Sequence, residues 1–197
     1  MECRAPGTSR RALFRLAATG AGSALVTLEG QQSQAGAPGK PLTEGNRFDV
    51  GDRGPQMVAR AQSLGREYEA KSGNCAQCTI AALQDSIEFV PKNEHVFLAG
   101  SCLHGGATSN ANANCGGFTG AGIVIGHLCG RSREQFGDRG ATKLASKLIR
   151  EMAGRYEQAY GSVICKDVRE KASKNCPEVV ARAAGWAAEV LLKQFSK

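Results

Sequence analysis

Aromatic side chains are scarce here: Phe, Tyr and Trp make up 6 % of 197 residues, with a single Trp. A core short of rings, in a chain that is 42 % hydrophobic and holds 25 glycines, calls for helices packed at close range. Histidine is sparse too: His95, His104 and His127 are scattered, with no matched Ser/Asp or Cys/Asn partner, so triad chemistry is not indicated. His104, two residues from Cys102, reads as a solvated loop histidine. A covalent haem would need C-x-x-C-H, but Cys75-Ala76-Gln77-Cys78 is followed by Thr79. A dinucleotide fingerprint is missing as well, because Gly120-x-Gly122 is followed by Ile125 where the third glycine belongs and no strand precedes it. Lys and Arg are spread among Glu along helices and are not interleaved with aromatics, which disfavours nucleic acid as a partner. The formal charge is +7, and the first 35 residues, with four arginines and two glutamates, leave +5 for the remainder.

What is plentiful is cysteine. There are 8: Cys3, Cys75, Cys78, Cys102, Cys115, Cys129, Cys165 and Cys176. Such a number indicates disulfides in an oxidising compartment and metal in a reducing one, so the start of the chain matters. Arg10-Arg11 follow Ser9, a weakly apolar run extends from Leu16 to Leu28, and Ser33-Gln34-Ala35 forms an A-x-A-like cleavage site. The run is too short and too rich in Gly and Thr for a permanent membrane span. The order Ser-Arg-Arg-x-Leu-Phe-Arg resembles a twin-arginine export signal, with Leu13 in place of the usual Phe. Residues 1–35 are therefore expected to be a cleaved leader and the mature protein periplasmic or otherwise outside the cytoplasm. That route carries proteins already folded, which suits a cofactor inserted beforehand.

Residues 36–54, rich in Gly, Pro and charge, read as a flexible linker. Residues 55–197 read as one all-α domain, a compact bundle of about five to six helices. Val58, Ala61, Leu64 and Tyr68 recur at helical spacing before Gly73. A second helix starts near Cys75 and carries Ile80, Leu83 and Ile87. Pro91-Lys92-Asn93 is a turn, and residues 100–114 form a Gly/Asn-rich loop. Helices are then expected from Cys115 to about Leu128, along Leu144, Leu148, Met152 and Tyr156, near Val163–Ala172, and through Val179, Ala183, Trp186 and Val190.

Four of the cysteines share a position. Cys75 follows the capping pair Gly73-Asn74, Cys115 precedes Gly116-Gly117, Cys165 lies just after Gly161-Ser162, and Cys176 stands directly before Pro177. Each is at or near a predicted helix N-terminus, where free N–H groups and the helix dipole favour negative charge. A thiol there is expected below its ordinary value of about 8.5, and thiolates both ligate metals and attack disulfides. Thr119, Gly122 and Gly126 fall on the side of Cys115, a strip that would let a partner helix come close. Cys129 is roughly 21 Å along the same helix and is not expected in the same centre. Cys78 and Cys102 are candidate accessory thiols. The residues alone leave three readings open: a metal or iron–sulfur centre, a thiol–disulfide pair such as Cys75/Cys78 or Cys165/Cys176, and a structural module stapled by disulfides or zinc.

These fragments, taken in order, resemble the C_GCAxxG_C_C family of redox-active proteins with four recurring cysteines. The matching pieces are Asn74-Cys75-Ala76-Gln77, Cys115-Gly116-Gly117-Phe118-Thr119-Gly120 with Ile125-Gly126, Tyr160-Gly161-Ser162-Val163-Ile164-Cys165, and Cys176 before the last helix. Gly117 stands where the family's C-G-A-x-x-G pattern has alanine. The family is itself similar to the cluster-bearing part of split-Soret cytochromes. That likeness implies an iron–sulfur cluster, of the [2Fe–2S] type, on Cys75, Cys115, Cys165 and Cys176, and an electron carrier served by a redox partner protein.

Overall fold

The computed structural model describes residues 40–197. The leader expected over residues 1–35 and the first residues of the expected linker lie outside the described residues. From Gly54 onward the described chain is built of α-helices. They are α1 (Gly54–Ser72), α2 (Cys75–Ser86), α3 (Glu94–Ala99), α4 (Gly116–Cys129), α5 (Lys143–Tyr160), α6 (Cys165–Lys171) and α7 (Cys176–Phe195). Among the described residues there is no strand, only isolated bridges at Phe48/Ser196 and Asn114/Ile164. The all-α class is as expected, with seven helices where five or six were expected. The short α3 is the addition: Asn93 caps it by accepting the Val96 N–H at 3.1 Å, and six residues are too few to show a helical period.

Local signals set most boundaries. Asn74 and Asn175 accept the Gln77 and Glu178 N–H groups and so start α2 and α7. Gly73 at φ +66° and Gly161 at φ +74° end α1 and α5 in the left-handed conformation that glycine adopts without penalty. On α5 the row Leu144, Leu148, Met152, Tyr156 and Tyr160 is buried throughout. Each aliphatic member of it contributes about 1.5–3 kcal/mol on leaving water.

The close packing implied by few aromatics is met at α1 and α7. A Cβ on Gly65 would stand 3.0 Å from the Val180 carbonyl oxygen and 3.2 Å from Ala184 Cβ, so these helices nearly touch at the backbone. Facing residues of α7 are small and buried: Ala181, Ala184 and Ala188. Helix α2 is enclosed by α1, α4 and α7. No helix among the described residues is long and apolar enough to cross a membrane.

Residues 42–50 behave differently from the expected linker. The Leu42 N–H donates to Leu128 O at 2.7 Å and the Phe48 N–H to Phe195 O at 2.6 Å. Phe48 stacks on Phe89 with centroids 4.7 Å apart, and Val50 is buried with Met57 and Leu192. Three apolar anchors spaced among Gly, Asp and Arg were masked by the polar average of the segment.

Candidate functional site

Cys75, Cys115, Cys165 and Cys176 line one small cavity of about 180 Å³. Cys75 is the first residue of α2, Cys115 the N-cap of α4, Cys165 the first residue of α6 and Cys176 the first of α7. All but Cys176, which is half-buried, are buried, and all four thiols are free.

Three devices bring these helix starts together. Backbone pairing joins the loop to the segment before α6: the Cys115 N–H donates to Val163 O at 2.8 Å, and the Cys165 N–H to Ala113 O at 2.9 Å. Glycines then allow contact. A Cβ on Gly116 would collide with the Cys75 sulfur, and one on Gly120 with the Ala76 carbonyl oxygen. The backbone at Gly106 has φ +76° and passes beneath Cys165, where a Cβ would lie 2.8 Å from the cysteine's own. Last, Gly117 leaves room for Tyr156, whose hydroxyl would be 2.8 Å from a Cβ there. That hydroxyl, wholly buried, donates to Cys115 Sγ at 3.8 Å. Gly117 thus makes room for a tyrosine against the site.

The small-residue strip expected on α4 is displaced from the observed one. Gly116, Gly117 and Gly120 make the closest approaches; of the expected strip only Gly122 meets a neighbouring helix, a Cβ there lying 3.3 Å from Ile149 of α5, whereas Gly126 has open space around it and Thr119 donates back to Cys115 O at 3.1 Å. Cys115 at φ −56°, ψ 134° lies outside the helix proper, so a wheel counted from it is out of phase. Ser162 likewise is not the cap of α6, which is Ile164; its hydroxyl accepts the Ile164 N–H and donates to Asp167.

The expected lowering of the thiol pKa values is not found; every one of the four is raised. Burial is the leading cause for each. Cys115 is pushed up to about 12, burial being reinforced by Cys75 and opposed by the Gly117 N–H and the Tyr156 hydroxyl. Cys75 is raised by burial, eased by the Gly105 N–H, and raised further by Glu69, Cys165 and Cys176. Arg169 pulls Cys165 and Cys176 back. Helix starts do favour thiolate, but lost hydration and neighbouring would-be anions outweigh them. The chain by itself keeps these thiols protonated at neutral pH, and a cation among them would reverse the order.

The remaining candidates separate. Cys78 is buried against Val180 and Tyr68 behind Cys75 and does not line the cavity; Cys102 is exposed in its loop and does not line it either. Cys129 is buried at the far end of α4, its thiol donating to Ile125 O at 3.2 Å. Residues the sequence reading missed or set aside stand on the wall: Glu69, Arg169 and His104. The sulfurs surround the cavity and do not meet at one point, for among the described residues no three His, Cys, Asp or Glu are close enough to hold one ion.

A comparison with protein families matches residues 73–190 to the family described as "Putative redox-active protein (C_GCAxxG_C_C)". Neither the curated proteins nor the solved structures compared with the chain gave a match.

Proposed function

Since the chain belongs to the C_GCAxxG_C_C family, we propose that it is a redox protein in which Cys75, Cys115, Cys165 and Cys176 hold a small iron–sulfur cluster and that it serves as an electron carrier. The observation that carries this reading is four cysteines from four separate helix starts on the wall of one cavity. The donor set fits in kind: four cysteine sulfurs around a space of about 180 Å³ are the ligand type that iron–sulfur clusters take. When bound, such a cluster supplies one-electron transfer at the potential its surroundings set. The protein contributes the rest. Buried Val168, Val179 and Val180 keep the wall apolar. Backbone N–H groups of Gly105 and Gly117, together with the Tyr156 hydroxyl, direct positive ends at the sulfurs, and Arg169 adds a full charge at the rim. An electron carrier needs no acid–base pair.

Export as a folded, loaded protein completes the proposal and rests on the twin-arginine-like order at Ser9-Arg10-Arg11. Replacing Arg10 and Arg11 by Lys should stop export, read by fractionation; continued export would remove the reason for loading in the cytoplasm.

A second reading, a metal-free thiol–disulfide protein, is supported by the same cysteines standing around one cavity as free thiols. One preparation separates the two. Anaerobic purification with iron and sulfide assays and a visible spectrum should show equimolar iron and labile sulfide. A colourless, metal-free protein whose thiol number changes reversibly with potential would establish the alternative.

A further inference from the structure

The exposed edge of the cysteine cavity lies at Cys176. Of the four cysteines it alone is half-buried, and Gly73, His104 and Arg169, which share the wall with it, are exposed. An electron entering or leaving the cavity crosses the least protein there.

Helix α6 and the turn after it border that edge with positive charge. Lys166, Arg169, Lys171 and Lys174 are all exposed, and none of the ion pairs among the described residues includes them. Nearby carboxylates are mostly occupied: Asp167 accepts the Ser162 hydroxyl at 2.8 Å, and Glu178 is held by Arg66 and Arg182. In this segment Glu170 stands against the four cations. A second cationic stretch, Arg131 to Lys143, follows the far end of α4. There Arg131 and Arg133 close on the Phe136 ring, 4.7 and 5.8 Å from its centroid.

The backbone gives an independent sign. Ser173 and Lys174 are consecutive left-handed residues, at φ +50° and +62°. Helices α1 and α5 make the same bend with Gly73 and Gly161, the residue that adopts it without penalty. After α6 the chain keeps a lysine instead, pinned by its N–H donating to Arg169 O at 2.7 Å. That charge is thereby fixed two residues from Cys176.

We propose that this edge docks a one-electron redox protein whose own centre is ringed by carboxylates, met by Arg169, Lys171 and Lys174 around Cys176. The proposal rests on the electron-carrier reading above and names the partner's chemistry. One electron crosses the edge, oxidising one protein and reducing the other, with no bond formed and no proton moved. Complexes of this kind bury little area, so opposite charge steers the encounter and selects the partner.

The full chain, isotope-labelled and metal-free, is titrated by NMR with a flavodoxin of strongly negative net charge and with a cytochrome c of positive net charge. Flavodoxin should shift amides centred on residues 166–176, with Gly73 and His104, and the shifts should vanish at about 0.5 M salt; cytochrome c should leave them in place. Arg169→Glu with Lys174→Glu should weaken flavodoxin binding about 10-fold, whereas Arg131→Glu with Lys143→Glu, an equal change of charge, should leave it nearly unaltered. Equal weakening by both pairs, or shifts centred on Arg131–Lys143, overturns the proposal. Lys174→Gly relieves the left-handed bend, so it should melt no lower than the parent and still bind more weakly; binding as tight as the parent's also overturns it. Iron uptake is measured on its own: its failure ends the electron-carrier reading and the proposal with it, whereas a failed docking map ends the proposal alone.

Discussion

Helix α4 carries a cysteine at each end, and their surroundings are unlike. Both are buried and both thiols are pushed up, Cys129 to about 11 and Cys115 to about 12. Burial alone accounts for Cys129, which bonds to the turn before it and meets no other thiol among the described residues. Around Cys115 burial is joined by Cys75 and Cys165 and offset by the Gly117 N–H and Tyr156. A buried cysteine is usually a small apolar residue with a weak donor. It becomes part of a site only when other elements bring partners to it, and at Cys115 those elements are α2, α5 and α6.

The sharpest way to break this contrast is to remove each sulfur. Cys115→Ser should abolish iron uptake on reconstitution, whereas Cys129→Ser should keep full uptake and cost about 1 kcal/mol in thermal unfolding. Equal iron content in the two variants would mean that the ends of α4 do not differ as described.

A second contrast lies between glycines of the same helix. Gly116→Ala drives a methyl into the Cys75 sulfur and the Leu103 carbonyl. It should cost about 1–3 kcal/mol and impair iron uptake. Gly126→Ala, with nothing within 4 Å, should stabilise the protein by about 0.5–1 kcal/mol and leave uptake unchanged. Urea unfolding of the two variants measures both signs.

pH probes what the two ends share. An unfolded thiol titrates near about 8.5, below the folded values of about 11 and 12 at Cys129 and Cys115. The folded state therefore holds these protons more tightly. That contribution is whole below the unfolded value and is lost as pH rises toward the folded ones. Metal-free protein should melt at falling temperature above about pH 8.5, with a shallower fall in Cys129→Ser; a flat melting profile in that range contradicts the burial described.

A subtler change, read in the potential more than in stability, is expected at Tyr156. Removing its bond to sulfur with Tyr156→Phe should cost about 1 kcal/mol, keep iron content, and shift the potential of the loaded protein. An unchanged potential would show that the hydroxyl does not reach the thiolate.

Much of the bundle was legible because its signals are local. Asn74, Pro177, Gly73 and Gly161 act within one turn of where they stand, and the α5 row repeats every four residues. Together with Gly116-Gly117 and Gly161-Ser162, such signals set four cysteines at or near helix starts, although Ser162 is not itself the cap of α6. Legibility failed where a contact joins distant segments. The α1 row was read through Leu64 and Tyr68, one step from the buried row Met57–Ala61–Gly65–Glu69, which is why Glu69 was missed. A glycine and a glutamate in an apolar row carry little hydrophobic signal, although their spacing of four was there to be found.

By itself, then, the sequence determined the helical class, most of the helix starts to within a residue or two and the identity of the sulfurs near them, since caps and periodicity act over a few residues. The tertiary structure decided that those starts face one cavity, that Glu69 and Tyr156 join them, and that the thiols stay protonated. Desolvation and the field of neighbouring charges depend on every segment packed around a group, and no local stretch of chain contains that information.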